Sequence, residues 1–583
     1  MRIKQKEEAD YVVFAVVLLL SAAVGFYYAW RSRKQGTSRD FLTGGRKLNA
    51  LAVSMSLTAS YMSSVTVLSN PAEVYRYGAI FGYLSISYVL AVVYTSEVFL
   101  PVFYRLAINS TYEYLELRFS RATRLLAMVI FFFNALLYTG LVIYAPALAL
   151  NQVTGMNLWG GIISTATVCT LYCALGGLKA VVWTDVVQIG IMFAGYMSVI
   201  IKCVILKGGI STILSDAQEG GRINFVDFDI NPLRRHTFWT LVIGGTFGWS
   251  AVYGTYQPQV QRYNSCKTIK HARLALFINV LGLACTLTSS VISGLCLYSF
   301  FKNCDPWKAG QVSSPDQLLP YLVMDILADH QGLPGLFFAA VYSASLSTVS
   351  TSINAMAAVT MEDLIKPLIC CLFIIYSGEK EYLVSHQLLS IIGGVCGGPL
   401  LGLFSLGVLC PFVNSKGGLW GLVAGLAAAV SVTIGEIISP SPPEMTRPLS
   451  LSTEGCNFSS GGSLNWTTPL AYEKKLISLT TRHVVQWQSP SYLYFVVIGG
   501  LTAIIVGIII SLLTGKKKRK DFAIGTVISF SYCFITTFCF CSSTHHFRGI
   551  EGDGTDSVGQ PNKEDEINNP AEEKFDNTRV SSF

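Results

Sequence analysis

The stretch Leu51-Ala-Val-Ser-Met-Ser-Leu-Thr-Ala-Ser-Tyr-Met-Ser-Ser-Val-Thr66, running on to Asn70-Pro71, decides the architecture. It is apolar enough to span a membrane, yet seven of its sixteen residues are serine or threonine. Such side chains bond to nearby backbone and weaken a helix interior, and an Asn-Pro step disfavours its continuation. Five candidate spans later comes Gly244-Gly-Thr-Phe-Gly-Trp-Ser-Ala-Val-Tyr-Gly254, with four glycines in eleven residues. Two poor helices in corresponding places are what paired, inverted repeats with interrupted helices look like. Interruption frees N–H groups for an anion and C=O groups for a cation. The plainer reading of either stretch is close packing, since small residues are common at membrane helix contacts.

Composition supports the membrane setting. Of 583 residues, 51% are hydrophobic and 13% charged, against roughly 25% charged in soluble domains; the mean hydropathy is +0.49. The net charge of +7 lies in short basic runs beside apolar segments, so it reads as topology and not as nucleic-acid binding. Met1–Asp10 is mixed in charge, and Tyr11–Trp30 is long enough to span, so no cleavable signal peptide is expected. The 15 cysteines show no metal spacing. Those in apolar runs (Cys169, Cys173, Cys203, Cys285, Cys296, Cys396 and Cys410) read as small packing residues.

With about 20 apolar residues per span, the candidates are 11–30, 50–69, 79–104, 124–150, 156–175, 181–206, 238–257, 273–300, 333–360, 388–411, 417–438 and 491–513. Basic loops 31–48, 105–123 and 258–272 fall on one side by parity and are placed inside. Residues 1–10 are then extracellular, 11–515 form the transmembrane domain, and loop 439–490 is extracellular. That loop carries two glycosylation patterns, at Asn457 and Asn465. Asn109-Ser-Thr fits the pattern too but lies on the basic face. Cys304 and Cys456 both fall in outer loops, where a disulfide between them is one reading and two free thiols the other. After Pro367 only Leu368–Tyr376 is apolar, about half a span. Residues 516–583 read as a cytoplasmic tail with an extra apolar segment at 522–541. The tail ends Ser581-Ser-Phe583, a pattern that suits strand addition to a PDZ groove at Ser581 and Phe583.

Two further stretches carry chemistry. Gly176-Gly-Leu-Lys-Ala-Val-Val-Trp-Thr-Asp-Val-Val-Gln188 puts Asp185 inside an apolar run, with Gln188 one turn on. A carboxylate there must face protein, water or an ion; the competing reading is an acid at an interfacial helix N-terminus. Ser343-Ala-Ser-Leu-Ser-Thr-Val-Ser-Thr-Ser-Ile-Asn354 holds seven hydroxyls. Ser347 and Thr348, with Ser343 and Thr351 a turn away, share a face suited to a hard cation; their alternative is back-bonding to the preceding turn.

At these residues the chain resembles the sodium/solute symporter family over about residues 10–515. The resemblance rests on Ser56-Leu-Thr-Ala-Ser60, Glu73-Val-Tyr-Arg-Tyr-Gly78, Ser110-Thr-Tyr-Glu-Tyr-Leu115, Tyr144-Ala-Pro-Ala-Leu-Ala149, Gly176–Gln188, Gln259-Val-Gln-Arg262 and Leu346–Asp363. Within the family, Leu148-Ala-Leu-Asn-Gln-Val-Thr-Gly155, His236-Thr-Phe-Trp-Thr240 and Cys304-Asp-Pro-Trp307 are similar to the sodium-coupled monocarboxylate transporters. The resemblance implies an all-α polytopic fold with LeuT-like inverted five-helix repeats, about 12–13 spans, and alternating access. It implies a sodium site where the carbonyls of Ala59 and Met62 meet the hydroxyls of Ser347 and Thr348. A second sodium would involve Asp185 and Gln188 with Ser63. Substrate would sit near Tyr61, Thr66, Tyr138 and Trp249. The chain departs from the family at Tyr256, where asparagine is expected, and in the half-length segment after Pro367.

The expected function is therefore sodium-coupled symport of short monocarboxylates (lactate, pyruvate, butyrate, nicotinate) at the plasma membrane, apical in epithelia. Sodium is the coupling ion and the lipid bilayer the setting; no other cofactor or metal and no nucleic acid is expected. The alternatives are iodide or a vitamin carboxylate (biotin, pantothenate) on the same machine, or a transport-inactive splice form. A channel or sensor is the reading from another class. No Walker A motif, no His-Glu-x-x-His and no evident nucleophile–base pair argues for an enzyme.

Overall fold

The computed structural model describes residues 8–32, 41, 44–108, 110–154, 157–327, 329–365, 386–438, 443–453, 455–456 and 490–515. The half-length segment after Pro367, Asn457 and Asn465, the apolar segment 522–541 and the terminal Ser581 and Phe583 lie outside them.

The described chain is helical. α1 (Glu8–Ser32) is followed by α2 (Ala50–Tyr61) and α3 (Ser64–Tyr77), then α4 (Ala79–Leu106), α5 (Thr111–Arg118) and α6 (Arg121–Thr154). α7 (Leu158–Leu206) leads to α8 (Ile210–Glu219), α9 (Gly245–Thr255), α10 (Gln257–Asn264) and α11 (Ile269–Phe301). α12 (Leu318–Ile326), α13 (Leu333–Val359), α14 (His386–Leu409), α15 (Ser415–Ile438) and α16 (Phe495–Leu513) complete it. Among the described residues eight helices are individually long and apolar enough to cross a bilayer, or nine if α2 and α3 form one span. The remaining expected spans are hidden by geometry. α1 contributes only a short apolar stretch, Leu19–Tyr28; α9 is short because its span is interrupted; and α7 contains two spans.

α7 has 49 residues, about 74 Å of helix, against a hydrocarbon thickness of about 30 Å. It turns at Gly177, whose φ of 56° and ψ of −157° are conformations that only glycine adopts readily. A Cβ there would lie 2.5 Å from the Phe41 carbonyl oxygen. Gly177→Ala is therefore expected to lower sharply the yield of folded protein. Gly190→Ala, whose Cβ would meet nothing within 4 Å, is the control, read by the same yield.

α13 sits at the centre. Of its most apolar 18-residue window 89% is buried, against 33% for α6 and α16, which explains how it can carry so many hydroxyls. The outer helices turn residues such as Leu136, Ile163, Ile205 and Leu281 outward, each more than 60% exposed, as lipid-facing helices do. Cys285 also faces outward and Cys410 is half-buried; the other cysteines read as packing residues are buried.

Three expectations are corrected. Asn70-Pro71 does not end its helix: α3 runs on through Pro71 to Tyr77, and the interruption comes earlier, at Met62 and Ser63. The glycine-rich stretch Gly244–Gly254 is itself helical; the break falls just after it, at Tyr256, which is extended (φ −77°, ψ 122°). The loop placed at 258–272 begins instead as a buried helix, α10, because Pro258 in its first turn suits a helix start.

Candidate functional site

The first break bends α2 against α3 by 62°. Met62 N–H still bonds to the Thr58 carbonyl at 3.0 Å, but Ser63 N–H turns to Tyr61 at 2.8 Å instead of continuing the ladder to Ala59. Ser63 then caps α3, its hydroxyl oxygen accepting from Thr66 N–H at 3.2 Å. The carbonyl end of α2 and the N–H end of α3 thus meet within the protein, a negative and a positive helix terminus side by side.

The two breaks are joined directly. Gln259 Nε2, in the first turn of α10, donates to Ser60 Oγ at 3.1 Å. Thr58 donates to Asn279 Oδ1 on α11 at 2.8 Å, and Leu48 N–H bonds to the Ser265 carbonyl at 3.2 Å. A cavity with about 200 Å³ of water-sized space lies against both breaks. Tyr61, Thr66, Tyr138 and Trp249 all line it, together with Ser60, Tyr88, Tyr256, Gln259 and Thr348. Trp249 forms its aromatic wall: its ring lies 3.9 Å from Tyr61, 4.4 Å from Tyr88 and 6.0 Å from Tyr253. Tyr256, the position that departs from the family pattern, is both the break residue of the second span and part of this lining.

α13 brings its hydroxyls to the same place. Thr348 Oγ1 donates to the Ser60 carbonyl at 3.2 Å and to the Ala344 carbonyl at 3.1 Å. Ser347 Oγ points the other way, to Asp185 Oδ1 at 2.6 Å. Ala59, Met62 and Ser63 are buried at the break.

Asp185 is completely buried within the protein. It accepts from Ser56 Oγ at 2.6 Å and pairs with Arg262 Nη2 at 2.9 Å. Arg262 also donates to Ser56 Oγ at 2.6 Å, Thr351 Oγ1 at 2.5 Å and the Pro258 carbonyl at 3.3 Å. Gln188, one turn beyond Asp185, is fully buried, and among the described residues neither of its amide atoms has a hydrogen-bond partner. Sequence reasoning missed Arg262, counting it as a basic residue of an inner loop. The signal available was Pro258 followed by Gln259-Val-Gln-Arg262, a helix start within a motif.

Ion pairs flank the site on both sides. On the side assigned as extracellular, Arg235 grips Glu73 Oε1 through Nε at 2.9 Å and Nη2 at 2.7 Å. His236 Nε2 lies 3.4 Å from the same oxygen and 3.0 Å from the hydroxyl of Tyr492, which lines the cavity. Cys304 and Cys456 are joined by an S–S bond on this side. On the opposite side Asp363, just past α13, accepts from Ser110 at 2.7 Å and pairs with Arg124, which also holds Glu116 at 2.6 Å.

The sodium:solute symporter family matches residues 41–371. The chain is 53% identical to human sodium-coupled monocarboxylate transporter 1, covering 88% of each chain. It is 49% identical to mouse sodium-coupled monocarboxylate transporter 2, covering 96% of this chain and 93% of that one. It is 44% identical to the human sodium/iodide cotransporter, covering 88% and 85%. The solved outward-open structure of a Na⁺-coupled sialic acid symporter superposes with a TM-score of 0.69 at 22% identity, covering 88% of this chain and 99% of that one. The fold is thus LeuT-like, with two inverted five-helix repeats whose first helices are the broken pairs α2/α3 and α9/α10. With this architecture and these relatives, the chain belongs to the sodium:solute symporter family, and what it performs is sodium-coupled solute symport.

Proposed function

We propose that the chain carries short-chain monocarboxylates (lactate, pyruvate, butyrate and nicotinate) into the cell with sodium, across the plasma membrane, by alternating access. One observation supports this most: a single cavity gathers Tyr61, Thr66, Tyr138 and Trp249 beside the opposed ends of α2 and α3. The positive N-terminus of α3 suits a carboxylate, and the aromatic wall suits a short apolar tail. The names of the relatives point to the same substrate class.

Sodium is cargo here, and the available donors are all oxygens, as a hard cation prefers. In our reading the carbonyls of Ala59 and Met62 with the hydroxyl of Thr348, joined by that of Ser347 once it turns from Asp185, hold one ion. Asp185 and Gln188, with Ser63, hold a second; the unpartnered Gln188 amide supplies the oxygen that an ion there lacks. Sodium at the α2 carbonyls would fix the break and present the α3 N–H groups to the substrate. The reading extends to glycans on Asn457 and Asn465, an outer bridge between Cys304 and Cys456, and a PDZ partner for Ser581 and Phe583.

The test is uptake of labelled lactate in sodium and in choline, normalised to surface protein. Uptake only in sodium is expected. A second reading, iodide as the solute, is favoured by the 44% identical iodide carrier; sodium-dependent iodide uptake without lactate uptake would replace our proposal. Thr348→Ala should raise the sodium concentration for half-maximal uptake about three- to ten-fold, as loss of one hydrogen-bonding ligand does. Unchanged sodium dependence in a variant at normal surface level would remove Thr348 from the site.

A further inference from the structure

A second cavity lies beyond the Glu73–Arg235–His236 cluster, on the side assigned as extracellular. It offers about 410 Å³ and is built from three separated parts of the chain: the end of α3, residues 223–236 and residues 445–449. Arg234 and Arg447 line it and converge on one carboxylate, that of Asp227. Neither contact is tight: Arg447 Nη1 is 3.5 Å and Arg234 Nη1 3.9 Å from Asp227. Arg234 has a closer partner in Asp229, at 2.6 Å, but its Nε–H is buried and has no acceptor among the described residues. Arg447 is held at a φ of 46°, a left-handed conformation uncommon for any residue but glycine. The cavity therefore has two guanidinium groups and one carboxylate, that of Asp227, whose Oδ1 also accepts from Asp229 N–H at 3.2 Å. That donor set is suited to a carboxylate, which a guanidinium binds through paired N–H groups.

Its position gives the site a purpose. His236 lines this outer cavity and Tyr492 lines the central one, and the two are hydrogen-bonded at 3.0 Å. The contact between these two side chains, with His236 3.4 Å from Glu73, thus lies between the two linings. We propose that the outer cavity is a capture site for the anionic solute. The carboxylate binds Arg234 and Arg447 in place of Asp227, and it passes inward when the His236–Tyr492 contact opens. This rests on the monocarboxylate reading of the central site. Asp227 and Asp229 offset the charge of the two arginines, so the site acts through paired N–H groups at short range and not through a long-range field. The effect therefore belongs to KM and not to the maximal rate.

The test is labelled lactate uptake over a range of concentrations, with surface protein measured in parallel. Arg447 is half-exposed with one long contact, so Arg447→Gln should fold. It is expected to raise KM about two- to five-fold, the scale of a partly exposed charge contact, at unchanged maximal rate. Arg447→Lys should recover part of the loss. Asp227→Asn, which removes the internal competitor, should lower KM. Unchanged KM in both Arg447→Gln and Asp227→Asn would overturn the capture site. So would a fall in maximal rate at constant KM, which marks a structural role. A wild-type chain that takes up no lactate would instead remove the reading on which the inference rests, and the two failures are told apart by that control.

Discussion

Arg262→Gln is expected to make the folded protein depend on sodium. The argument starts from burial: Arg262 and Asp185 are both essentially inaccessible to solvent and lie 2.9 Å apart. Removing one member of such a pair costs about 3–5 kcal/mol, because the other charge is left uncompensated, out of a total stability of roughly 5–15 kcal/mol. The two halves are not equivalent. After Arg262→Gln the Asp185 carboxylate keeps Ser56 and Ser347 as donors, with Gln188 a turn away. It is then an anionic oxygen cluster that a small cation can enter. An ion that binds the folded chain alone at a hundred times its Kd contributes about 2.7 kcal/mol, enough to offset much of the loss. After Asp185→Asn the guanidinium remains, cannot shed its proton, and has no anion to face. Melting in detergent should therefore show Arg262→Gln far less stable than wild type in choline and largely restored in sodium. Asp185→Asn should be unstable in both. The double variant, with no charge left to bury, should recover stability and keep only the smaller sodium response of the site at Thr348. Equal melting of Arg262→Gln in sodium and choline would exclude Asp185 from sodium binding.

The same pair shows where reading a sequence stops. Asp185 was legible because an acid within an apolar run demands an explanation whatever the fold. Thr348 and Ser347 were legible because seven hydroxyls on one helix are too many for a lipid-facing surface. Arg262 was not, because lysine and arginine near span ends carry the topology signal, and one that has turned inward looks the same. Only the helix start at Pro258 distinguishes them. The breaks were legible in kind but not in place. Hydroxyl and glycine content marks a span as weak without saying which peptide yields. The helix yields at Met62–Ser63, where the Ser63 hydroxyl can cap the new helix that starts at Ser64. In the second span the glycines stay helical because neighbouring elements approach them closely: a Cβ at Gly245 would lie 2.6 Å from Ser87 Oγ, and one at Gly254 2.5 Å from the Phe99 ring. The Glu73–Arg235 pair joins positions 162 residues apart, a separation that no local pattern reports.

Trp249→Ala is expected to lower lactate uptake more than any other single change in the cavity lining. The Trp249 ring is 92% buried and touches Tyr61 of the first broken span and Tyr88 of α4, so it holds one wall of the cavity across both repeats. Truncating an aromatic anchor at the centre of a binding site typically costs 2 kcal/mol or more, about 30-fold in affinity. The loss should fall chiefly on KM, because in our proposal the ring contacts the solute and not the ions. Trp249→Phe keeps a flat apolar face and should retain most of the affinity. The structural alternative, that the tryptophan merely fills a core, predicts something else: destabilisation with an unchanged KM in whatever protein reaches the surface. Uptake kinetics normalised to surface protein separate the two. Stabilisation by sodium, measured without substrate, should survive in Trp249→Ala, since Asp185 and Thr348 are untouched. If KM for lactate is the same in Trp249→Ala as in wild type, the solute does not sit against this ring. The cavity between the two breaks would then have to be an empty passage, with the solute held elsewhere along the path.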